Sequence, residues 1–218
     1  MVVYHIGHFG ALSKALMIHL TLHRKEKCAF LIDTTLSNHE SREFLSGFAS
    51  RAAEFASVVV YSDREFIDET GLDSIKKHVN SYFSELLRKN GIDLKKAEKI
   101  YTMFDTFNAF GAFALMNNIP LVFVDVFGVM AKDRYRPRGP QWTFYDELLK
   151  EVGALGYGCK NKNCVFLYRD NAAAPIGEGE INFEALRLGL DSGAIEILLN
   201  LYGFDPVEGG ELCNLLVF

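Results

Sequence analysis

Short apolar, β-branched segments alternate along this chain with longer segments in which apolar residues recur at helical spacing. Two adjacent parallel strands need a long crossover connection, which a helix usually supplies. Strands covered by helices on both faces are apolar throughout, as these segments are. The pattern therefore predicts an α/β fold, with a Rossmann-like parallel sheet and helices on both faces. The predicted strands are Val2–Ile6, Cys28–Ile32, Ser57–Tyr61, Ile100–Phe104 and Leu121–Val126.

The intervening segments predict the helices. Leu12, Leu16 and Leu20 begin the first apolar stripe, and Phe44 begins the second. The clearest amphipathic helix carries Ile75, Val79, Tyr82, Phe83, Leu86 and Leu87, and Gly91 is expected to end it because glycine readily adopts a positive φ. Beyond these, the sequence predicts a strand at Cys164–Tyr168 and helices at Ala109–Met116, Trp142–Val152, Phe183–Leu190 and Ala194–Tyr202.

Composition excludes several classes of protein. The 218 residues are 49% hydrophobic and 23% charged, which is a normal globular balance, and the net charge of −5 gives no basic footprint for nucleic acid. The four cysteines follow no disulfide spacing, and no signal peptide precedes the first strand, so a cytoplasmic protein with reduced thiols is expected. The most apolar stretch, Phe104 to Met130, contains too many polar residues to span a membrane.

Ligands of doubly wound sheets bind beyond the carboxyl ends of the strands. That rule selects the polar and glycine residues after each predicted strand: His5, Gly7, His8, Gly10, Asp33, Asp63, Arg64, Asp105, Asn108 and Asp125. Gly7 and Gly10 do not complete the glycine fingerprint of dinucleotide sites, so the turn between them is either an approach for an anion or sugar or simply a tight turn. His8 is the better candidate for a base, since His5 is as readily a buried structural histidine.

Asp125 interrupts a buried apolar strand, and such a carboxylate commonly has the perturbed pKa that a general base needs. The alternative is that Asp125 caps the strand end through loop amides. Asp105 and Asn108 either cap the following helix or contact sugar hydroxyls. Arg134 and Arg136 lie in a basic loop that either receives a phosphate or polyanion or is simply solvated.

The histidine turn after the first strand, the segment Asp105 to Gly111, and the Ile119-Pro120 strand that ends in Asp125 resemble bacterial capsule glycosyltransferases of the polysialyltransferase-like group. The CDP-glycerol glycerophosphotransferases are a more distant parallel. The resemblance implies a GT-B fold, in which a first domain holds the acceptor and supplies the base and a second holds a CMP-linked or other nucleotide-sugar donor. The family's second acid is not matched at Val126, and its His-Pro motif does not occur in this chain.

The resemblance also implies the organisation of the chain. Residues 1–140 would form the Rossmann-like acceptor-side domain, 141–211 a helical linker region, and 212–218 the first strand of a truncated donor domain. Asp125 and His8 would be the catalytic residues, with Asp125 as the base. The residues expected to bind substrate are His5, Gly7, Gly10, Asp105, Asn108, Arg134 and Arg136.

The implied activity moves a sugar from a nucleotide-sugar donor to a surface-polysaccharide acceptor, without a metal or other cofactor. A peripheral association with the inner membrane face is compatible with that role, and no nucleic-acid partner is expected. Two alternatives stay open at this stage. One is a non-catalytic α/β binding module, and the other is a nucleotide-binding enzyme of the epimerase or dehydrogenase type.

Overall fold

The computed structural model describes residues 1–7, 11–35, 39–66, 70–103, 109–124, 147–148, 150–152, 165–169, 182–186 and 188–204. Their strands form one seven-stranded sheet in the order β3-β2-β1-β4-β5-β6-β7, and every neighbouring pair is parallel. The strands are β1 (Val2–Ile6), β2 (Cys28–Asp33), β3 (Ala56–Tyr61), β4 (Lys99–Thr102), β5 (Val122–Val124), β6 (Val165–Arg169) and β7 (Asn182–Leu186).

Five helices accompany the sheet with bounds inside the described ranges: α1 (Leu12–Leu22), α2 (His39–Ala52), α3 (Leu72–Lys89), α4 (Ala109–Met116) and α5 (Ser192–Tyr202). The described residues 147–148 and 150–151 are also helical. Two short 3-10 helices cover Asp63–Phe66 and Leu94–Lys96. None of the helices in the described ranges combines the length and apolar character needed to cross a membrane.

The strand order reverses direction at β1. This strand pairs with β2 on one side, where Tyr4 lies beside Phe30, and with β4 on the other, where Tyr4 lies beside Tyr101. The chain therefore adds β2 and β3 outward on one side before it crosses back to add β4 to β7 on the other. The crevice between the carboxyl ends of β1 and β4 is the topological switch point, where open α/β sheets bind ligands.

The sheet separates two apolar cores. Residues of β1 that face one side, such as Tyr4 and Ile6, pack with α1, α2 and α5, while Val3 on the other side packs with α3 and α4. Because side chains alternate along a strand, neighbouring residues of β1 belong to different cores. Burying one apolar side chain of this size stabilises a fold by roughly 1.5–3 kcal/mol, so both cores contribute to holding β1 in the centre.

Two of the described helix ends follow local rules of capping. After α3, Gly91 has a φ of +65° and the amide of Ile92 donates to the carbonyl of Leu87 at 2.9 Å. At the start of α5, the side chain of Asp191 accepts a hydrogen bond from the amide of Ala194 at 2.7 Å. The prediction that Gly91 ends the amphipathic helix is confirmed, because its left-handed conformation directs that amide back to the last turn.

The predicted parallel Rossmann-like sheet is confirmed, and helices at Ala109–Met116 and across Ala194–Tyr202 form where they were expected. The helix predicted at Phe183–Leu190 is wrong, because residues 182–186 form β7 instead and pair with β6. Strands β6 and β7 continue the same sheet beyond residue 140. The GT-B assignment and the proposed domain boundaries stay predictions, and residues 212–218 lie outside the described ranges.

Candidate functional site

Two turns that follow strands and the first residue of α4 are hydrogen-bonded to one another at the carboxyl edge of the sheet. They are the turn after β2, the 3-10 turn after β3, and Ala109. Gly7, at the end of β1, is buried beside this edge. These are the positions at which a doubly wound sheet presents its ligand site.

His5 lies at the centre of a buried polar network beneath this edge. Its Nδ1 is 2.8 Å from Oγ1 of Thr102 on β4, and its Nε2 is 2.7 Å from the hydroxyl of Tyr61 on β3. The ring also stacks on Phe110 of α4, with centroids 4.6 Å apart. The His5 side chain thereby links β3 and β4, the strands on either side of the β1–β2 pair, to α4.

Burial lowers the pKa of the His5 imidazole to about 3, so the ring is neutral near pH 7. A neutral imidazole has one donor and one acceptor nitrogen, and either tautomer is satisfied because both partner hydroxyls can donate or accept. His5 has no exposed surface, and both of its ring nitrogens are hydrogen-bonded. It therefore fits the interpretation of a buried structural histidine. A direct contact between His5 and a substrate stays a prediction.

Thr35 joins the turn after β2 to the turn after β3. Its amide and hydroxyl donate to Oδ1 of Asp33 at 2.9 and 2.5 Å, and its hydroxyl oxygen accepts from the amide of Asp63 at 2.7 Å. The hydroxyl of Ser62 lies 3.1 Å from the same oxygen. Asp33 is therefore engaged by its own turn, although it follows β2 at the place where a dinucleotide-binding enzyme uses a carboxylate to bind ribose.

Asp63 connects the third strand to the fourth helix. Its two carboxylate oxygens lie 3.2 and 3.3 Å from the amide of Ala109, the first residue of α4, and its side chain is 1% exposed. Backbone amides in the first turn of a helix have no partner within the helix, and a carboxylate satisfies them well. Asp63 is thus a helix cap that acts across 46 positions of sequence.

These contacts hold both ends of the segment that contains Asp105 and Asn108. On one side, the amide of Met103 donates to the carbonyl of His5 at 2.7 Å, and on the other, the amide of Ala109 donates to Asp63. Met103 thus lies beside β1 directly after β4, and Ala109 lies against the 3-10 turn that follows β3. Asp125 follows Val124, the last residue of β5, which is the next strand of the sheet.

Most of the predicted site residues themselves lie outside the described residues. These are His8, Gly10, Asp105, Asn108, Asp125, Arg134 and Arg136. Of the set, the structure places His5 and Gly7, both buried on or just after β1. It therefore brings together the frame around the predicted site rather than the site's own polar groups.

Sequence reasoning missed Thr35, Tyr61 and Thr102, although each has a polar group in or directly after a strand. The available signal was a hydroxyl at the carboxyl end of an otherwise apolar strand, where a buried polar atom needs a partner. His5 is likewise a polar residue in a buried strand, and the hydroxyls of Tyr61 and Thr102 are the partners that it needs. The long-range role of Asp63 had no such signal, because a cap from a distant loop leaves no mark in local sequence.

A second buried histidine network lies on the α1 side of the sheet. The Tyr4 hydroxyl is 3.3 Å from Nδ1 of His19, and the Tyr101 hydroxyl is 2.9 Å from Nε2 of His23. His23 Nδ1 is also 2.8 Å from Oε1 of Glu26. His19 and His23 are both buried in the core, and no group of metal-ligating side chains occurs within the described ranges.

Comparisons of this chain with protein-family models, with curated proteins and with solved structures found no match.

Proposed function

We propose that the carboxyl edge between β1 and β4 is the acceptor site of a glycosyltransferase that uses a nucleotide-sugar donor. One observation supports this location above all. Hydrogen bonds hold the residues that flank the Asp105–Asn108 segment, with Met103 bonded to β1 beside the switch point and Ala109 bonded to Asp63 after β3. A preorganised frame of that kind positions polar groups for a ligand with little loss of entropy on binding.

The proposed chemistry needs a base at this edge. Asp125 follows the end of β5 and takes the proton from an acceptor hydroxyl, whose oxygen then bonds to the anomeric carbon of the donor. The bond between that carbon and the leaving phosphate oxygen breaks, and the nucleotide departs with the electron pair. Arg134 and Arg136 are proposed to bind an anionic glycan or the donor phosphate through charged hydrogen bonds.

The strand order also fits a dinucleotide-binding enzyme, because β3-β2-β1-β4-β5-β6 is the order such enzymes share. Two features count against that alternative. The turn after β1 lacks the third glycine of the fingerprint, and Asp33 already accepts two hydrogen bonds from Thr35. We therefore keep the dinucleotide enzyme as the competitor that the experiment must separate.

The experiment titrates the isotope-labelled chain with an anionic oligosaccharide, and in parallel with a nicotinamide dinucleotide, and follows the amide resonances. We expect the oligosaccharide to shift Gly7, Met103 and Ala109, while Cys28 and Glu98 at the opposite edge stay unchanged. Shifts produced by the dinucleotide alone would favour the competitor. Binding that maps to the opposite edge, or an absence of binding to either ligand, would contradict the proposal.

The role of Asp125 is tested separately by Asp125→Asn in a transfer assay with a CMP-linked donor. We expect the rate to fall by about 100-fold or more while acceptor binding is retained, since an amide can bond a hydroxyl but cannot take its proton. Asp93→Asn is the matched control, because Asp93 is an exposed cap of the 3-10 helix before β4. Equal rates for Asp125→Asn and the unsubstituted protein would exclude this base.

A further inference from the structure

The loops at the amino edge of the sheet are basic, although the chain as a whole is acidic. Residues 24–27 and 95–99 together carry six lysine or arginine side chains and two glutamates, whereas the net charge of the chain is −5. All six cations are exposed. We call them the basic edge: Arg24, Lys25, Lys27, Lys95, Lys96 and Lys99. This surface lies at the end of the sheet opposite the candidate site.

Strand pairing brings the two basic loops together. One connects α1 to β2 and the other leads into β4, and these two strands flank β1. The amide of Val2 donates to the carbonyl of Lys27 at 3.1 Å, and the amide of Glu98 donates to the carbonyl of Met1 at 3.0 Å. Since neighbouring strands lie about 4.8 Å apart, the basic edge forms one surface across three adjacent strands.

Most of these cations are not neutralised by the protein itself. Arg24 and Lys96 contact exposed aspartates. The other four form no ion pair within the described ranges: Lys25, Lys27, Lys95 and Lys99. Of the two glutamates, Glu26 is hydrogen-bonded to His23 at 2.8 Å, and Glu98 is exposed. The surface therefore presents more positive than negative charge to a partner.

Exposed apolar side chains accompany the charges. Leu22 at the end of α1 is 48% exposed, and Met1 before β1 is 38% exposed. They are two of the four large apolar side chains that are exposed within the described ranges. Lysines attract anionic headgroups, and apolar side chains beside them enter the boundary between the headgroups and the acyl chains. Five of the six cations are lysines, whereas nucleic-acid surfaces favour arginine and aromatic rings that stack on bases. The composition of this edge therefore fits anionic lipid better than nucleic acid.

We propose that the basic edge docks on an anionic membrane surface, with Leu22 and Met1 entering the headgroup region. The rest of the chain carries more acidic than basic side chains, so the same surface repels it and only this end is attracted. The charges thereby orient the protein with its amino edge on the lipid and its carboxyl edge directed away from it. This inference is independent of the chemistry proposed for the carboxyl edge.

Co-sedimentation of the 218-residue chain with lipid vesicles tests the surface. We expect it to bind phosphatidylcholine vesicles that contain about 30% phosphatidylglycerol at least about tenfold more tightly than pure phosphatidylcholine, and less tightly as salt is raised. Lys25→Gln/Lys95→Gln, one change in each basic loop, should weaken binding by about 20-fold. The control is Arg42→Gln/Lys77→Gln, which changes the net charge equally at exposed positions in the first halves of α2 and α3. Circular dichroism establishes that each variant is folded.

Leu22→Gln distinguishes lipid from other polyanions. It should weaken vesicle binding by about threefold or more, because the apolar side chain no longer enters the membrane boundary. Any binding to a single-stranded DNA oligonucleotide, followed in parallel by fluorescence anisotropy, should be unaffected by this substitution. Binding to DNA without binding to vesicles would assign the surface to nucleic acid instead. Equal binding to anionic and neutral vesicles, no binding to either, no effect of Leu22→Gln on vesicle binding, or equal weakening by the control pair would each overturn the proposal.

Discussion

Two buried histidine networks lie on opposite faces of the same strand and differ in how they are closed. His5 faces α3 and α4, where two hydroxyls and Phe110 surround it completely. Its neighbour Tyr4 faces α1, where its hydroxyl contacts His19 and its ring stacks on Tyr101. The hydroxyl of Tyr101 contacts His23, which in turn bonds Glu26, a residue that is 30% exposed. The first network ends inside the protein beneath the candidate site, whereas the second reaches solvent.

The difference shows what each network can tolerate. A proton added to His5 has no acidic partner, so burial alone determines its pKa. On the α1 side, the hydrogen bond from His23 is the main reason that the pKa of Glu26 is lowered, which places a negative charge next to the second network. We infer that the enclosed network fixes the geometry of the candidate site, and that the open one mainly holds α1 on the sheet.

The largest expected effect is a loss of folding stability in acid, to which a buried histidine on each face of the sheet contributes. Burial lowers the pKa of His5 to about 3, and burial with nearby His23 lowers that of His19 to about 4, against an ordinary value of 6.5. Below the ordinary pKa of 6.5 the unfolded chain therefore binds more protons than the folded one. The stability that the two histidines contribute is complete above this pH and is lost as pH falls toward their pKa values in the folded protein. Together the two groups should lower the free energy of unfolding by about 4 kcal/mol between about pH 7.5 and about pH 5.

Urea unfolding at both pH values measures this loss. Replacing either histidine, as His5→Gln or as His19→Gln, should reduce the drop by about 2 kcal/mol, which is half of the total. If the decrease in the free energy of unfolding is unchanged in His5→Gln, protonation of His5 does not destabilise the fold, which would contradict the description of its network as enclosed.

The next largest effect separates the two networks at neutral pH. His5→Leu removes the hydrogen bonds of His5 to the buried hydroxyls of Tyr61 and Thr102, and we expect a loss of about 3 kcal/mol in the free energy of unfolding. His19→Leu breaks one longer contact with Tyr4 and should cost about 1 to 2 kcal/mol. Chemical denaturation of the two variants under the same conditions makes the comparison.

Tyr61→Phe serves as the control for the first substitution. In the double variant His5→Leu/Tyr61→Phe the hydroxyl that lost its bond to His5 is also removed, so about 1 kcal/mol of stability should return. A loss for His19→Leu equal to that for His5→Leu would remove the distinction between an enclosed and an open network.

A smaller effect compares the two helix caps. Asp63 is buried and caps α4 from a distant loop, whereas Asp191 is 70% exposed and caps α5 from the adjacent residue. We expect Asp63→Asn to cost about 1.5 kcal/mol and Asp191→Asn to cost less, since a buried charged acceptor contributes more than an exposed one. Hydrogen exchange at the amides of Ala109 and Ala194 reports on each cap directly. A larger rise in exchange at Ala194 on Asp191→Asn than at Ala109 on Asp63→Asn would reverse the order.

The smallest effect lies at the surface between α1 and α5. Arg24 contacts both oxygens of Asp191 at 3.0 and 3.1 Å, but the two side chains are 39% and 70% exposed. Arg24→Gln should therefore change the free energy of unfolding by no more than about 0.5 kcal/mol, and less at high salt. A larger change in urea unfolding would show that α5 is held by charge rather than by its apolar face.

Much of the fold could be predicted because the central strands are buried on both faces. Such strands read as continuous apolar runs, so Val2–Ile6 has the predicted bounds and the strand that begins at Cys28 differs by one residue. The segment 182–186 could not be predicted in this way. Its apolar residues Phe183 and Leu186 fit a helical spacing, and pairing with β6 overrides that local preference.

The candidate site was less accessible from sequence than the fold. The rule that ligands bind at carboxyl ends of strands identified Gly7 and Asp63 from their positions alone. It did not reveal that Asp63 caps α4, or that Thr35 joins two turns, because those bonds connect loops that are distant in sequence. Which polar residue faces a ligand and which one holds a loop is decided by the neighbours that folding brings together.

The position of β1 between β2 and β4 has a consequence for synthesis on the ribosome. The first three strands can pair as they emerge, because each lies beside the one made before it. The other edge of β1 has no partner until residues 99–102 are translated, and α5 joins the first two helices later still. During that interval the nascent chain presents a central apolar strand as an open edge, a state that chaperones would need to protect.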